Sequence, residues 1–268
     1  MQTTVSTLKP IVLVTGASAG IGEAFAKIFA AHGHEVALVA RRAERLDMLA
    51  DEIAQTGRPR PTVLPTDLGA AGAPAALADA LAAHALEPAI VVNNAGFGLR
   101  GTAADLDLDR QLAIIDLNVR ALTDLSLRWM DSLERHRGGV INVASIAGFF
   151  PGPGMAVYHA SKAYILSFTE ALHREFAPLG VTFTALCPGP VPTEFHSRAG
   201  IAVERLPRRL TRSAERVARE GYAGFMRGER VIIPGFANKV ATALPRLLPR
   251  ALMLRLVERN QLVKNRLS

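Results

Sequence analysis

The sequence predicts an α/β fold, a single doubly wound parallel sheet of about seven strands with helices on both faces. Three observations lead there. Short β-branched runs alternate with longer alanine- and leucine-rich stretches of helical period from the start of the chain. A glycine-rich turn joins the first strand candidate to the first helix candidate. No internal repeat or low-complexity linker divides the 268 residues, a length that one large α/β domain can fill.

Ile11–Val14 reads as the first strand and Gly20–His32 as a helix with Ile21, Phe25, Ile28 and Phe29 on one face. Glu35–Ala40 is a strand and Arg42–Gln55 a helix. Thr62–Leu64 and Ala89–Val92 are strands on either side of an alanine-rich helix around Ala73–Ala85. A helix from about Ala103 to Arg135 follows, interrupted near Asn118. Val140–Val143 is a strand, Met155–Ala177 a long helix, Val181–Leu186 a strand and Val231–Ile233 the last. This alternation implies right-handed βαβ crossovers. Residues 1–235 read as one domain and 236–268 as a basic, amphipathic, helical C-terminal extension.

Composition narrows the function classes. Half of the chain is hydrophobic (49%) and 21% is charged, which excludes a disordered chain. Residues 138–161 lack Asp, Glu, Lys and Arg, yet Pro151-Gly152-Pro153-Gly154 breaks them, so no membrane helix is expected there. No secretory signal is visible, and the lone Cys187 reads as a buried small hydrophobe in a reducing compartment, so a cytoplasmic location is expected. From Arg198 onward sixteen Lys and Arg face five Glu, so the chain's +7 leaves residues 1–197 at −4. No zinc-finger spacing or aromatic-basic stretch accompanies this basic region, and no nucleic-acid partner is expected. No His/Cys/Asp cluster has metal-ligand spacing, so no metal is expected.

Gly16-Ala17-Ser18-Ala19-Gly20 fits the G-x-S-x-G turn of a hydrolase nucleophile. Position speaks against an esterase, because that turn follows several strands and precedes an acid and a histidine, whereas the final quarter of this chain has no histidine. With Gly22 the same letters make a phosphate cradle of the Rossmann type. Gly16 permits a tight turn, Gly20 lets backbone approach a pyrophosphate, and Gly22 allows close helix–strand packing. The loop then includes Ser18, Ala19 and Ile21 among its contacts. After the second strand come Arg41 and Arg42 in place of an acid, which favours NADP(H) over NAD(H) through charge-assisted contacts to a 2′-phosphate.

Tyr158 and Lys162 lie four apart on one helix and face the same way. An ammonium near a phenol lowers its pKa, so the pair can exchange a proton with a carbonyl or alcohol oxygen. Ser145, just past the strand Val140–Val143, is placed to hydrogen-bond the same oxygen. His159 points about 100° away and reads as a packing or surface residue.

Thr15–Gly22, Asn93-Asn94-Ala95-Gly96, Asn118, Ser145, Tyr158/Lys162 and Pro188-Gly189 together resemble the short-chain dehydrogenase/reductase family over about residues 10–235. The resemblance implies that Tyr158 is the general acid/base, that Ser145 orients the substrate oxygen, and that Lys162 lowers the tyrosine pKa and holds the nicotinamide ribose. It implies that Asn118 kinks its helix and positions a water. Asp67 and Leu68 would meet the adenine, Asn93, Ala95 and Gly96 the cofactor edge of the fourth strand, and Pro188, Gly189, Val191 and Thr193 the nicotinamide side. Ala19 departs from relatives that carry a basic residue there, so the NADP(H) expectation rests on Arg41 and Arg42. A homodimer or homotetramer is expected.

Phe97, Leu99, Phe149, Phe150, Met155 and Phe195 fall on loops past the strand ends, which suggests a small apolar carbonyl or alcohol substrate. Residues 194–213 read as a lid bearing Arg198, Arg205, Arg208 and Arg209. In the tail, Leu252, Met253, Leu256, Val257 and Val263 make an apolar stripe flanked by Arg255, Arg259 and Arg266. Such a stripe suits contact with a membrane surface, the enzyme's own body or a second subunit. The leading expectation is an NADP(H)-dependent oxidoreductase working as a carbonyl reductase. The alternative is a cofactor-binding regulatory or membrane-peripheral protein with little turnover.

Overall fold

A computed structural model describes residues 8–200, 207–244 and 249–261. The elements run β1 (Lys9–Thr15), α1 (Gly20–Ala31), β2 (Val36–Ala40), α2 (Ala43–Gln55), β3 (Thr62–Pro65), α3 (Ala73–Ala83) and β4 (Leu86–Asn93). Then come α4 (Leu108–Ile115), a π-helical turn (Asp116–Ala121), α5 (Leu122–Leu127), α6 (Met130–Arg135) and β5 (Gly139–Val143). A 3₁₀ turn (Ile146–Phe149) leads to α7 (Ala156–Phe176), β6 (Thr182–Leu186), α8 (Glu194–Arg198), α9 (Ala214–Met226), β7 (Val231–Ile232), α10 (Phe236–Ala243) and α11 (Arg250–Gln261).

The strands form one seven-stranded sheet in the order β3-β2-β1-β4-β5-β6-β7, every pairing parallel. Alternate residues of β1 explain its unbroken apolar run. Val12 and Val14 pack with Phe25, Phe29 and Leu46 on one face, and Ile11 and Leu13 with Leu77, Leu81 and Leu125 on the other. Phe25 and Phe29 are fully buried, and each ring withdrawn from water stabilises the fold by roughly 2–3 kcal/mol. Strand order reverses between β1 and β4, so the crevice beyond their C-terminal ends is where a ligand fits.

Two stretches differ from the sequence expectation. The helix expected from Ala103 starts at Leu108, because the Asp107 side chain accepts the Arg110 N–H at 2.8 Å and caps it there. The interruption expected near Asn118 is the π-helical turn, and a further break falls at Trp129 (φ −113°, ψ 31°). The fourth strand begins at Leu86, ahead of the expected Ala89. Pro88 lies within it, next to a register irregularity between β1 and β4, where proline is tolerated. No helix among the described residues is long and apolar enough to cross a membrane.

Beyond β7 the chain returns to the body. Asn238 in α10 is fully buried, and its amide donates to Pro234 O (2.7 Å) and Leu210 O (3.0 Å). In α11, Met253 and Val257 are buried while Leu252 is 43% exposed, so part of the tail's apolar stripe docks on the enzyme itself. The side chains of Leu256 and Arg259, and all of Val263 and Arg266, lie outside the described residues, as does Arg205 of the expected lid.

Candidate active site

The glycine loop leaves β1 and enters α1 in the crevice. Gly16 and Gly20 adopt φ +64° and +63°, which side chains rarely tolerate. At Gly22 a Cβ would stand 2.4 Å from Gly16 O, so the loop can close on α1 only with glycine there. Ala19, the N-cap of α1, has no side-chain cap, which leaves the helix's first amides facing the crevice. Ile21 packs on the core beneath.

The loop is latched to β4. Thr15 Oγ1 accepts from Asn94 N and Ala95 N, both at 3.0 Å, and Asn94 Nδ2 donates to Thr15 O and Gly16 O at 3.0 and 3.2 Å. Asn94 therefore shapes the cradle, a role that its place in the Asn93-Asn94-Ala95-Gly96 motif does not reveal without the fold. The Asn93 side chain turns the other way, into the core, where its Nδ2 donates to Asn142 Oδ1 (2.9 Å) and Ser126 Oγ (3.0 Å). Gly96 lies against the Asn118 side chain and Lys162 Nζ.

The two arginines after β2 separate in role. Arg42 reaches the glycine loop, donating to Ser18 Oγ at 3.0 Å and Ser18 O at 3.2 Å, and pairs with Glu194 at 2.9 Å. Arg41 is 66% exposed and only 3.9 Å from Asp67, itself exposed and accepting from Gly69 N. Leu68 is buried in the core. On the far side of the crevice, Pro188 O accepts from Ile146 N (3.0 Å), Gly189 packs on Asn238, Val191 is buried, and the Thr193 methyl lies over Gly20.

The catalytic candidates converge where β4, β5 and α7 meet. Ser145 hydrogen-bonds with Tyr158, and Lys162 Nζ stands 5.8 Å from the centre of the tyrosine ring. Lys162 donates to Val143 O at 2.7 Å, and burial pushes its pKa down to about 8. Asn118 binds the backbone of Phe97 through both Oδ1 (3.1 Å) and Nδ2 (3.0 Å), and donates to Ser161 Oγ at 3.1 Å. Ser161 in turn donates to Tyr158 O at 2.8 Å, a link between Asn118 and the tyrosine's own turn that sequence spacing did not reveal.

Burial outweighs the Ser145 hydrogen bond at Tyr158 and pushes the phenol up to about 12. Part of the residue still meets solvent, where water offsets some of that penalty, so the direction, upward, is what the chemistry can use. A protonated tyrosine at neutral pH is equipped to donate a proton. His159 is buried and bonds Phe150 O at 3.0 Å, the packing role expected of it, and Cys187 is buried with its thiol pushed up to about 12. Among the described residues no His, Cys, Asp and Glu group could hold a metal.

This chain matches the short chain dehydrogenase family over residues 10–202. It belongs to that family. It is 37% identical over 191 residues to sulfoacetaldehyde reductase 2 of Chromohalobacter salexigens, covering 70% of this chain and 75% of that protein. A short-chain dehydrogenase from Sphingobium yanoikuyae, solved in complex with NADPH, is 33% identical over 91% of this chain and 95% of its own, with a TM-score of 0.79. The bulky-bulky ketone specific alcohol dehydrogenase of Comamonas testosteroni is 28% identical, covers 90% and 94% of the two chains, and superposes with a TM-score of 0.74. The chain is thus a short-chain oxidoreductase with a nucleotide-binding Rossmann sheet.

The apolar loop residues of this dehydrogenase divide into two groups. Phe195 packs on Tyr158 with ring centres 5.4 Å apart, and the Phe97–Leu99 loop reaches the same ring through Gly98. Phe149 and Phe150 instead line a cavity of about 750 Å³ with Ala156, Ala160 and Met253. That face of α7 lies roughly 150° around the helix from Tyr158.

Proposed function

We propose that this protein is an NADPH-dependent carbonyl reductase for a small apolar ketone or aldehyde. The observation that carries the reading is the convergence of Ser145, Tyr158 and Lys162 beside a glycine cradle whose rim bears Arg42. The cradle fits the cofactor: Gly16 and Gly20 hold backbone conformations that leave the α1 amides open, and Gly22 leaves no room for a side chain. Gly16, Ser18, Ala19, Gly20 and Ile21 would face the pyrophosphate, Arg42 with Ser18 the 2′-phosphate, Asp67 the adenine, and Thr193 the nicotinamide side.

Bound NADPH supplies a hydride. The protein's own part is proton delivery. Ser145 and Tyr158 hold the substrate's carbonyl oxygen between their hydroxyls, and Tyr158 gives its proton to that oxygen as charge develops there. Lys162, buried beside the ring, stabilises the phenolate that remains, and Asn118 holds the Phe97 loop against this site. Phe195 and the Phe97–Leu99 loop exclude water around the tyrosine, which strengthens each of these contacts.

The test is NADPH and NADH oxidation with a panel of ketones and aldehydes, alongside Tyr158→Phe and Arg42→Gln. NADPH-driven turnover that is lost in Tyr158→Phe, with the NADPH preference reduced in Arg42→Gln, supports the reading. Tight NADPH binding without turnover on any carbonyl would favour a regulatory role.

A further inference from the structure

Arg42 is already holding an anion. Its Nε and Nη2 grip Ser18 on the glycine loop, and its Nη1 forms an ion pair with Glu194 Oε2 at 2.9 Å. Glu194 opens α8 on the opposite wall of the crevice, 152 positions further along the chain. The same carboxylate oxygen accepts from Arg198 at 2.8 Å, and the neighbouring Thr193 rests on Gly20. The start of α8 therefore crosses the mouth of the cradle, tied down by a carboxylate on the guanidinium proposed to take a 2′-phosphate.

We propose that Glu194 is a built-in competitor of the adenosine 2′-phosphate, and so a specificity-determining residue for the cofactor. The inference rests on the assignment of Arg42 to that phosphate. A guanidinium has five donors in a rigid fork, and Ser18 uses one edge of Arg42, so carboxylate and phosphate must contend for the remainder. A carboxylate left beside a near-dianionic phosphate also repels it. A ligand bearing the 2′-phosphate displaces Glu194 from Arg42, and a ligand lacking it leaves the pair in place. Glu194 thus narrows the margin between NADPH and NADH that Arg42 creates, and Arg198 stays available to keep the displaced carboxylate on its own helix.

Equilibrium dissociation constants, from calorimetry or cofactor fluorescence, test this without turnover. The ligands are NADPH, NADH, 2′,5′-ADP and 5′-ADP, and the proteins are wild type, Glu194→Gln, Arg42→Gln and the double variant. Losing a part-exposed ion pair and a screened repulsion should tighten NADPH and 2′,5′-ADP about five-fold in Glu194→Gln. NADH and 5′-ADP should stay within about two-fold. Glu194→Gln should tighten 2′-phosphorylated ligands less in the Arg42→Gln background than in the wild type, because only the screened repulsion is left to relieve. Two failures are distinguishable. If Arg42→Gln keeps the full preference for 2′-phosphorylated ligands, the Arg42 assignment falls, and this proposal with it. If Arg42→Gln loses that preference but Glu194→Gln binds NADPH unchanged or more weakly, Arg42 stands, and Glu194 clamps the bound ligand rather than competing with it.

Discussion

Replacing Lys162 by Met should reveal what the buried ammonium costs the fold. Lys162 is 6% exposed, and burial lowers its pKa from 10.5 to about 8. In the unfolded chain the side chain keeps its proton up to about 10.5. Between these values the unfolded state binds more protons than the folded state, so wild-type stability gains with rising pH through that window. Two and a half units at 1.36 kcal/mol each make about 3 kcal/mol. Urea unfolding of both proteins from pH 7 to about 10.5 reads the effect as a difference. The wild type should gain about 3 kcal/mol on Lys162→Met across that range, with most of the change above pH 8. Tyr158 and Cys187, both raised to about 12, hold protons longer when folded and lower stability at the alkaline end. Both proteins share that loss, so it cancels to first order. The hydrogen bond to Val143 O survives in the neutral amine, so its removal shifts the difference at every pH without giving it a slope. A difference that stays flat with pH, or moves the other way, would refute the view that burial depresses this lysine.

Other changes test the rest of the site. Tyr158→Phe should lower turnover by about 10²- to 10⁴-fold while leaving NADPH binding within a few-fold, checked by steady-state rates and titration. Gly22→Ala places a methyl 2.4 Å from Gly16 O and should destabilise by about 1–3 kcal/mol and weaken cofactor binding, read by thermal melts with and without NADPH. Asn238→Ala leaves Leu210 O and Pro234 O without their donor and should cost about 1–3 kcal/mol in urea unfolding. Through Gly189 it should also raise the KM for cofactor more than it lowers kcat. Ultraviolet titration of the tyrosines in wild type against Tyr158→Phe should show the extra phenol ionising only well above pH 10, since burial holds its proton on.

Much of this protein was legible because its determinants are local. Steric freedom at Gly16 and Gly20, the four-residue spacing of Tyr158 and Lys162, and the apolar runs of the strands act over one turn or one strand, so the residues announce them without knowledge of the fold. The helix start at Leu108 escaped although its cap is local, because several polar residues there could cap and the apolar spacing does not distinguish Asp107 from Thr102, Asp105 or Asp109. Long-range contacts decided the rest. Nothing near Glu194 in sequence points to Arg42, because the two meet only when the sheet brings opposite walls of one crevice together. Arg41 and Arg42 look alike in sequence, and the path of the chain leaving β2 sends one to solvent and the other to Ser18. Asn93 and Asn94 are equivalent amides until the pleat of β4 turns one into the core and the other onto the glycine loop. The pKa values of Tyr158 and Lys162 likewise come from desolvation by residues far away in the chain. Sequence alone determined which groups the chemistry could use. The tertiary structure decided which of them meet, because burial and contact are properties of neighbours in space.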